Sequence, residues 1–147
     1  MTGRVVVGVD LDDASAVALR EAVREARWRG AALEIVHVHH PATAATAFPV
    51  PAGRGKDRPD PEGVRRRAAE ALDTWLDTVD VDLTDLEVTR VLRGARHPGR
   101  ELEALGRGAA LVVVGTRRRP AIATSLLGSV GEHLARRCPA PVLHTRS

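Results

Sequence analysis

The sequence has little of three things that would point to particular classes of protein. It has one cysteine, Cys138, so no disulfide can form within the chain, which is typical of a reducing compartment. Tyrosine is absent, and two tryptophans and one phenylalanine are too few to build stacking platforms for single-stranded nucleic acid. The apolar run at residues 5–9 is shorter than a signal-peptide core and far shorter than the ~20 residues that span a bilayer. We therefore expect a cytoplasmic protein with no membrane partner.

An excess of charge of one sign is also lacking. The 22 Lys and Arg residues face 19 Asp and Glu residues, for a formal net charge of +3. A balance this even argues against dedicated nucleic-acid binding, so we expect no specific nucleic acid as a partner. The 147 residues fit one domain of roughly 100–200 residues. We predict a single domain over residues 1–147.

What the sequence does have is an alternation of strand and helix patterns. Short β-branched or apolar runs predict strands at residues 4–9, 33–38, 86–92, 111–114 and 142–145. Helices are predicted from Asp12 or Asp13 to Arg29, from Pro61, from Pro98 to Gly106 or Gly108, and over residues 128–137. The apolar face predicted for the second helix is Val64, Ala68, Ala71, Leu72, Trp75 and Val79. Prolines and glycines punctuate residues 39–60, which predicts a long flexible loop.

This alternation predicts an α/β fold. Helical crossovers between strands imply a doubly wound parallel sheet of five strands with helices on both faces. The first and fourth strands are expected to be the central pair, and the mixed third strand an edge. Ligands of such sheets bind beyond the carboxyl ends of the strands. Asp10 and Gly115, each just past the end of one of these two strands, should therefore lie close together.

Residues 111–130 suggest what this edge of the sheet binds. A buried strand leads to Gly115, then to three basic residues, Arg117 to Arg119, and then to a helix start at Gly128-Ser129-Val130. A glycine turn lets backbone N–H groups approach an anion, and a helix N-terminus carries about +0.5 charge. The alternative is a turn and a helix cap without any ligand. Phosphate binding and simple capping both remain open on these residues alone.

Three segments carry a family likeness. GVDLDDASAVAL near the start, IVHV in the second strand and LVVVGTRRRPAIATSLLGSVGEHLARRCPAPVLHTR at the end resemble the universal stress protein family. The likeness extends over residues 4–146. It implies a five-stranded doubly wound fold of the adenine nucleotide alpha hydrolase-like type and a homodimer formed through the last strand. One branch of that family binds ATP with the motif G-x-x-G-x9-G-[S/T], and another branch lacks the motif and the nucleotide.

The resemblance assigns roles position by position. Gly115 matches the first motif glycine, and Gly128, Ser129 and Val130 match the end of the motif at the required separation. Asp10 matches an aspartate that contacts the ribose and triphosphate region, and Val38 matches a residue whose backbone reads the adenine. The remaining candidates for nucleotide contact are Val9, Thr116 and Arg118.

The chain departs from the family pattern at three places. Arg118 replaces the middle motif glycine, which removes a close backbone approach and adds a cation. Leu11-Asp12 replaces a Gly-Ser pair, which adds a carboxylate near a polyanion and favours a bridging divalent metal, Mg²⁺ or Mn²⁺. His144-Thr145 makes the last strand less apolar than the dimer strand of the family.

Two functions from different classes follow. The first is an ATP-binding, stress-signalling domain with slow or no hydrolysis, because no general base stands out beyond Asp10 or Asp12. The second is a nucleotide-free homodimer that acts as an interaction module. His37, His39 and His40 are interpreted as structural or loop residues rather than metal ligands, and Cys138 as a packing residue. No G-x-S-x-G elbow, P-loop or G-x-G-x-x-G after the first strand is present.

Overall fold

Strands and helices alternate along the chain from its first element to its last. The computed structural model describes residues 3–41, 60–116 and 128–147. In these ranges the strands are β1 Arg4–Gly8, β2 Ala32–His39, β3 Val88–Gly94, β4 Leu111–Thr116 and β5 Val142–Arg146. The helices are α1 Asp13–Arg29, α2 Pro61–Val79, α3 Pro98–Leu105 and α4 Gly128–Arg137. Most of the predicted loop, residues 42–59, lies outside the described residues.

All five strands form one parallel sheet in the order β3-β2-β1-β4-β5. β1 lies at the centre, where Val5 pairs with Leu33 on one side and with Leu111 on the other. The predicted α/β class, the central pair of strands and the edge position of β3 are confirmed. β3 begins two residues later than predicted, because its ladder with β2 starts where Leu33 pairs with Val88.

The sheet has a hydrophobic core on each face. Alternate strand residues face opposite sides, so Val5 and Val7 lie in one cluster and Val6 in the other. Residues of α1 and α2 complete the first cluster, and Leu102 of α3 and Leu134 of α4 complete the second. The sheet is therefore covered on both faces, as doubly wound parallel sheets must be.

Helix α1 follows its terminal signals closely. The Asp12 carboxylate accepts a hydrogen bond from the N–H of Ser15, and Gly30 ends the helix in the left-handed conformation at φ 62°. One stripe of small residues packs on the sheet and is almost completely buried: Ala14, Ala18, Ala22 and Ala26. Small side chains let the helix axis lie close to the strands.

Helix α2 begins at Pro61 as predicted, but its buried face differs from the prediction. Leu72 and Val79 are buried, whereas Ala71 is exposed and Leu76, absent from the predicted face, is buried. The helix packs through Leu72, Leu76 and Val79, which are spaced by four and three residues. None of the helices in the described ranges has the length and apolar character needed to cross a membrane.

Candidate functional site

A cavity of about 450 Å³ lies at the carboxyl ends of the central strands. Its walls come from the ends of β1, β2 and β4, the first turn of α1, the start of α3 and the first turn of α4. The described residues that line it are Gly8, Val9, Asp10, Asp12, Ala14, Ser15, Val36, His37, Val38, His39, His40, Ala95, Pro98, Leu102, Val114, Gly115, Thr116, Gly128, Ser129, Val130 and Gly131. A cavity of this size suits a nucleotide-sized organic molecule.

The turn between β1 and α1 is held by a short hydrogen-bond relay. The N–H of Asp10 donates to Ser15 Oγ at 2.7 Å, and the N–H of Ser15 donates to Asp12 Oδ1 at 2.8 Å. Leu11 sits between the two aspartates with φ 56°, a left-handed conformation that is costly for a side chain of its size. This relay holds the backbone of Asp10 and the carboxylate of Asp12, both of which line the cavity.

Gly115 is required for packing rather than for a turn. A Cβ atom built on it would lie 2.8 Å from the carbonyl carbon of Ala14 and closer still to the carbonyl oxygen. Strand β4 therefore passes directly against the backbone of the first turn of α1. This contact brings the two walls of the cavity together, and the sequence alone suggested a different reason for the glycine.

Thr116 lines the cavity with its hydroxyl already engaged. Its Oγ1 donates to the carbonyl oxygen of Thr145 at 2.9 Å, which ties β4 to β5. The residue is buried, so its side chain has little freedom to turn toward a ligand. Thr116 thus contributes shape and backbone to the site, and its hydroxyl contributes to the sheet.

The first turn of α4 forms another part of the cavity wall. Gly128 begins the helix at φ 71°, where a residue with a side chain would be strained. Ser129, Val130 and Gly131 follow it along the cavity wall. The N–H groups of a first helical turn have no partner inside the helix and carry the positive end of its dipole. This turn supplies donors suited to an anion.

Strand β2 forms the third wall and carries His37 and His39, with His40 directly after it. His37 Nδ1 lies 2.9 Å from the carbonyl oxygen of Val9, and His39 Nδ1 lies 3.2 Å from the carbonyl oxygen of His40. Within residues 3–41, 60–116 and 128–147, no three His, Cys, Asp or Glu side chains are placed together to hold a metal ion. Sequence reasoning missed the tie between His37 and Val9, although a histidine inside a buried strand is a signal that it needs a partner.

The predicted site residues come together in this cavity. Those that line it are Val9, Asp10, Val38, Gly115, Thr116, Gly128, Ser129 and Val130. Arg118, like its neighbours Arg117 and Arg119, lies outside the described residues. Ligand binding by this set stays a prediction.

One titratable group outside the cavity is perturbed by its surroundings. His144 lies on β5, and burial lowers the pKa of its imidazole from the ordinary value of 6.5. Its Nδ1 atom is fully buried and has no hydrogen-bond partner in the described part of the chain. The neutral form of His144 is therefore the one that the fold accommodates.

An ion pair holds the carboxyl end of α1 in place. Arg27 donates to both carboxylate oxygens of Asp85 at 2.8 Å and to the carbonyl oxygen of Asp82. The hydrogen bond from Arg27 lowers the pKa of the Asp85 carboxyl. The contact ties α1 to the segment that enters β3.

A model described as the universal stress protein family matches residues 1–146. A universal stress protein of Mycobacterium tuberculosis strain H37Rv is 34% identical over 143 residues, which covers 97% of this chain and 44% of that relative. The chain thus spans less than half the length of this curated relative.

Solved structures with the same fold cover nearly all of the chain. A universal stress protein solved in complex with cAMP is 26% identical, has a TM-score of 0.61, and is matched over 99% of this chain and 97% of that one. A protein of the universal stress protein family from Burkholderia pseudomallei is 24% identical with a TM-score of 0.68, over the same shares of the two chains. The latter likeness bears on the fold alone.

Proposed function

The chain belongs to the universal stress protein family, and on that premise we propose that its cavity binds an adenine nucleotide, with ATP as the main ligand. The observation that carries this proposal is the convergence of the α1 turn and the first turn of α4 on one cavity of about 450 Å³. The cAMP complex of a relative that is 26% identical supports an adenine nucleotide as the class of ligand. ATP and its hydrolysis belong to the proposal.

The phosphates are proposed to bind at the first turn of α4. Gly128 adds no side chain to the cavity wall, and the N–H groups of Ser129 and Val130 are suited to donate to phosphate oxygens. The adenine is proposed to lie against the backbone of Val38 on β2, and the ribose near Asp10. This orientation places the negative end of the ligand at the positive end of the helix.

Together with the ligand, a divalent cation is proposed to bind in the cavity. Asp10 and Asp12 both line it, and Mg²⁺ is usually held by one or two carboxylates together with phosphate oxygens. The cation, Mg²⁺ or Mn²⁺, would offset the repulsion between these carboxylates and the triphosphate. Metal binding should then depend on the nucleotide.

Slow or absent hydrolysis is part of the proposal. Within the described ranges, the ionisable side chains on the cavity wall are Asp10, Asp12, His37, His39 and His40. The proposal assigns Asp10 to the ribose and both carboxylates to the cation, which leaves neither free to act as a general base. A protein of this kind would report nucleotide occupancy to partners inside the cell rather than turn ATP over.

A second candidate is a nucleotide-free homodimeric interaction module, and one observation supports its dimer. β5 is an edge of the sheet, and its residues Val142 and Leu143 are only partly buried in the single chain. An open edge of this kind can pair with a second copy. The homodimer is compatible with nucleotide binding, so the two candidates differ in the ligand alone.

A thermal-shift panel of ATP, ADP, AMP and cAMP, with and without Mg²⁺, tests the proposal. ATP at 100 times its dissociation constant should stabilise the fold by about 2.7 kcal/mol. For a domain of this size that corresponds to a rise of roughly 5–10 °C in Tm. The nucleotide-free candidate predicts no shift with any of the four at millimolar concentration, and rapid release of phosphate from ATP would contradict slow hydrolysis.

Two glycines offer a matched pair of variants. Gly128 has φ 71° at the cavity, and Gly108 has φ 73° with no atom within 4 Å of a Cβ built on it. Gly128→Arg and Gly108→Arg should both carry the cost of a left-handed backbone, whereas only Gly128→Arg should lose the ATP shift. An unchanged ATP affinity in Gly128→Arg would overturn the assignment of the phosphate site.

A further inference from the structure

His37 is a nearly buried polar side chain in the wall of the cavity. It lies on β2, retains 8% of its surface exposed and lines the cavity. Polar side chains buried to this degree normally have their hydrogen-bonding atoms paired, since an unpaired buried group costs free energy. The two ring nitrogens of His37 differ in whether they have a partner.

The Nδ1 atom is paired with the backbone. It lies 2.9 Å from the carbonyl oxygen of Val9, and a carbonyl oxygen can only accept a hydrogen bond. Nδ1 must therefore carry the proton in the neutral imidazole, which leaves Nε2 with an exposed lone pair. The carbonyl of Val9 thus fixes both the orientation and the tautomer of the ring.

The Nε2 atom has no hydrogen-bond partner in residues 3–41, 60–116 and 128–147. Nε2 nevertheless keeps some access to solvent. In those ranges, the side-chain N or O atom that is both fully buried and without a partner is Nδ1 of His144, so Nε2 of His37 is not fully buried. Because His37 also lines the cavity, a group bound there is the available partner for Nε2. The site contains a fixed hydrogen-bond acceptor that the fold itself does not use.

We propose that His37 is a specificity-determining residue that accepts, through Nε2, a hydrogen bond from a donor group of the bound nucleoside. The inference rests on the proposed function, because it assigns a contact within the same site. A lone pair repels phosphate oxygens, so the partner must be an O–H or N–H group. On a nucleotide these donors are the ribose hydroxyls and the exocyclic amino group of adenine.

The sheet order is consistent with a nucleoside partner. β1 lies between β2 and β4, and α4 follows β4 in the chain. Adjacent strands are about 4.8 Å apart, which places His37 roughly 10 Å across the sheet from the β4 side of the cavity. With the phosphates at the first turn of α4, the sugar or base is the part of the ligand that extends to β2.

Two substitutions separate the structural tie from the ligand contact. In His37→Asn the amide nitrogen can replace Nδ1 as donor to Val9, but nothing stands at the position of Nε2. In His37→Gln an amide oxygen reaches toward the position of Nε2, but the donor to Val9 is lost. His97→Asn serves as the control, because His97 is exposed and does not line the cavity.

The experiment compares the affinity of ATP with those of 2′-deoxy-ATP, 3′-deoxy-ATP and the triphosphate of purine riboside, which lacks the amino group. Wild-type protein and His97→Asn should bind ATP roughly 2- to 10-fold more tightly than the analogue that lacks the donor facing His37. In His37→Asn the affinity ratio for that analogue, divided by the ratios for the other analogues, should fall to about 1. His37→Gln should retain part of the preference for ATP, and its Tm should be lower. The ratio of ratios isolates this contact from other contributions of the same donor group.

The outcomes separate the two proposals. If the wild-type protein binds none of these nucleotides, both the proposed function and this inference fail. If it binds ATP and all ratios are the same in His37→Asn as in wild type, this inference alone fails. Should His37→Asn not fold, the ¹⁵N resonance of Nε2 in the wild-type protein gives the answer, because it must shift on binding ATP and shift less with one analogue. An Nε2 resonance that does not respond to ATP would also overturn the inference.

Discussion

Replacing Gly115 with alanine tests the close packing of β4 against the first turn of α1. The added Cβ would lie 2.8 Å from the backbone carbonyl carbon of Ala14, well inside the distance that real Cβ atoms keep. Because the obstacle is backbone within a 17-residue helix, it cannot turn aside as a side chain can. Overpacking a core costs typically 1–3 kcal/mol, and a rigid obstacle of this kind places Gly115→Ala at about 3 kcal/mol. The corresponding fall in Tm is roughly 6–12 °C.

Gly8→Ala is the matched control for Gly115→Ala. Gly8 also lies in a central strand, but its Cβ would meet the Cδ atoms of Leu102, the far end of a flexible side chain. We expect a cost of about 1 kcal/mol there, measured for both variants by urea denaturation without ligand. Equal stability of Gly115→Ala and wild type would refute the reasoning that this glycine exists for packing.

Three further predictions concern stability. Asp80 ends α2 at φ 54°, so Asp80→Gly should stabilise the fold by about 0.5–1 kcal/mol and raise Tm by about 2 °C; an unchanged or lower Tm would contradict the strain. The lowered pKa of Asp85 means that its contact with Arg27 stabilises the fold above the ordinary pKa of 3.8 and is lost as pH falls through the folded value. Arg27→Gln should therefore reduce stability at pH 7 and have less effect at pH 2.5, and equal losses at both pH values would refute the linkage. Because burial lowers the pKa of His144, stability should fall as pH drops below 6.5, and His144→Leu should add about 1 kcal/mol at pH 8 and more at pH 5. A gain that is the same at both pH values would count against the neutral state of this side chain.

The topology could be predicted because local signals agreed with it. Gly30 and Pro61 mark a helix end and a helix start through backbone conformation alone, which does not depend on the rest of the fold. The buried apolar run of β4 and the alanine stripe of α1 predicted a covered parallel sheet. The rule that ligands bind at the carboxyl ends of strands then located the cavity.

What depends on distant partners could not be predicted. The start of β3 is set by its ladder with β2, and the buried face of α2 is set by the direction from which the sheet approaches. The left-handed backbone of Leu11 has no signal in the residue type. The same holds for Gly115, whose need for glycine arises from Ala14 of another element.

The central position of β1 has a consequence for how the protein is made. Val5 pairs with Leu111, so the second neighbour of β1 is synthesised long after β1 itself. At about 5–20 residues per second, a ribosome needs on the order of 5–20 s to add the ~100 residues between them. During that interval the nascent chain can assemble β1, β2 and β3, but one side of β1 still offers unpaired backbone groups to any other strand. A half-built sheet of this kind is a natural client for a chaperone.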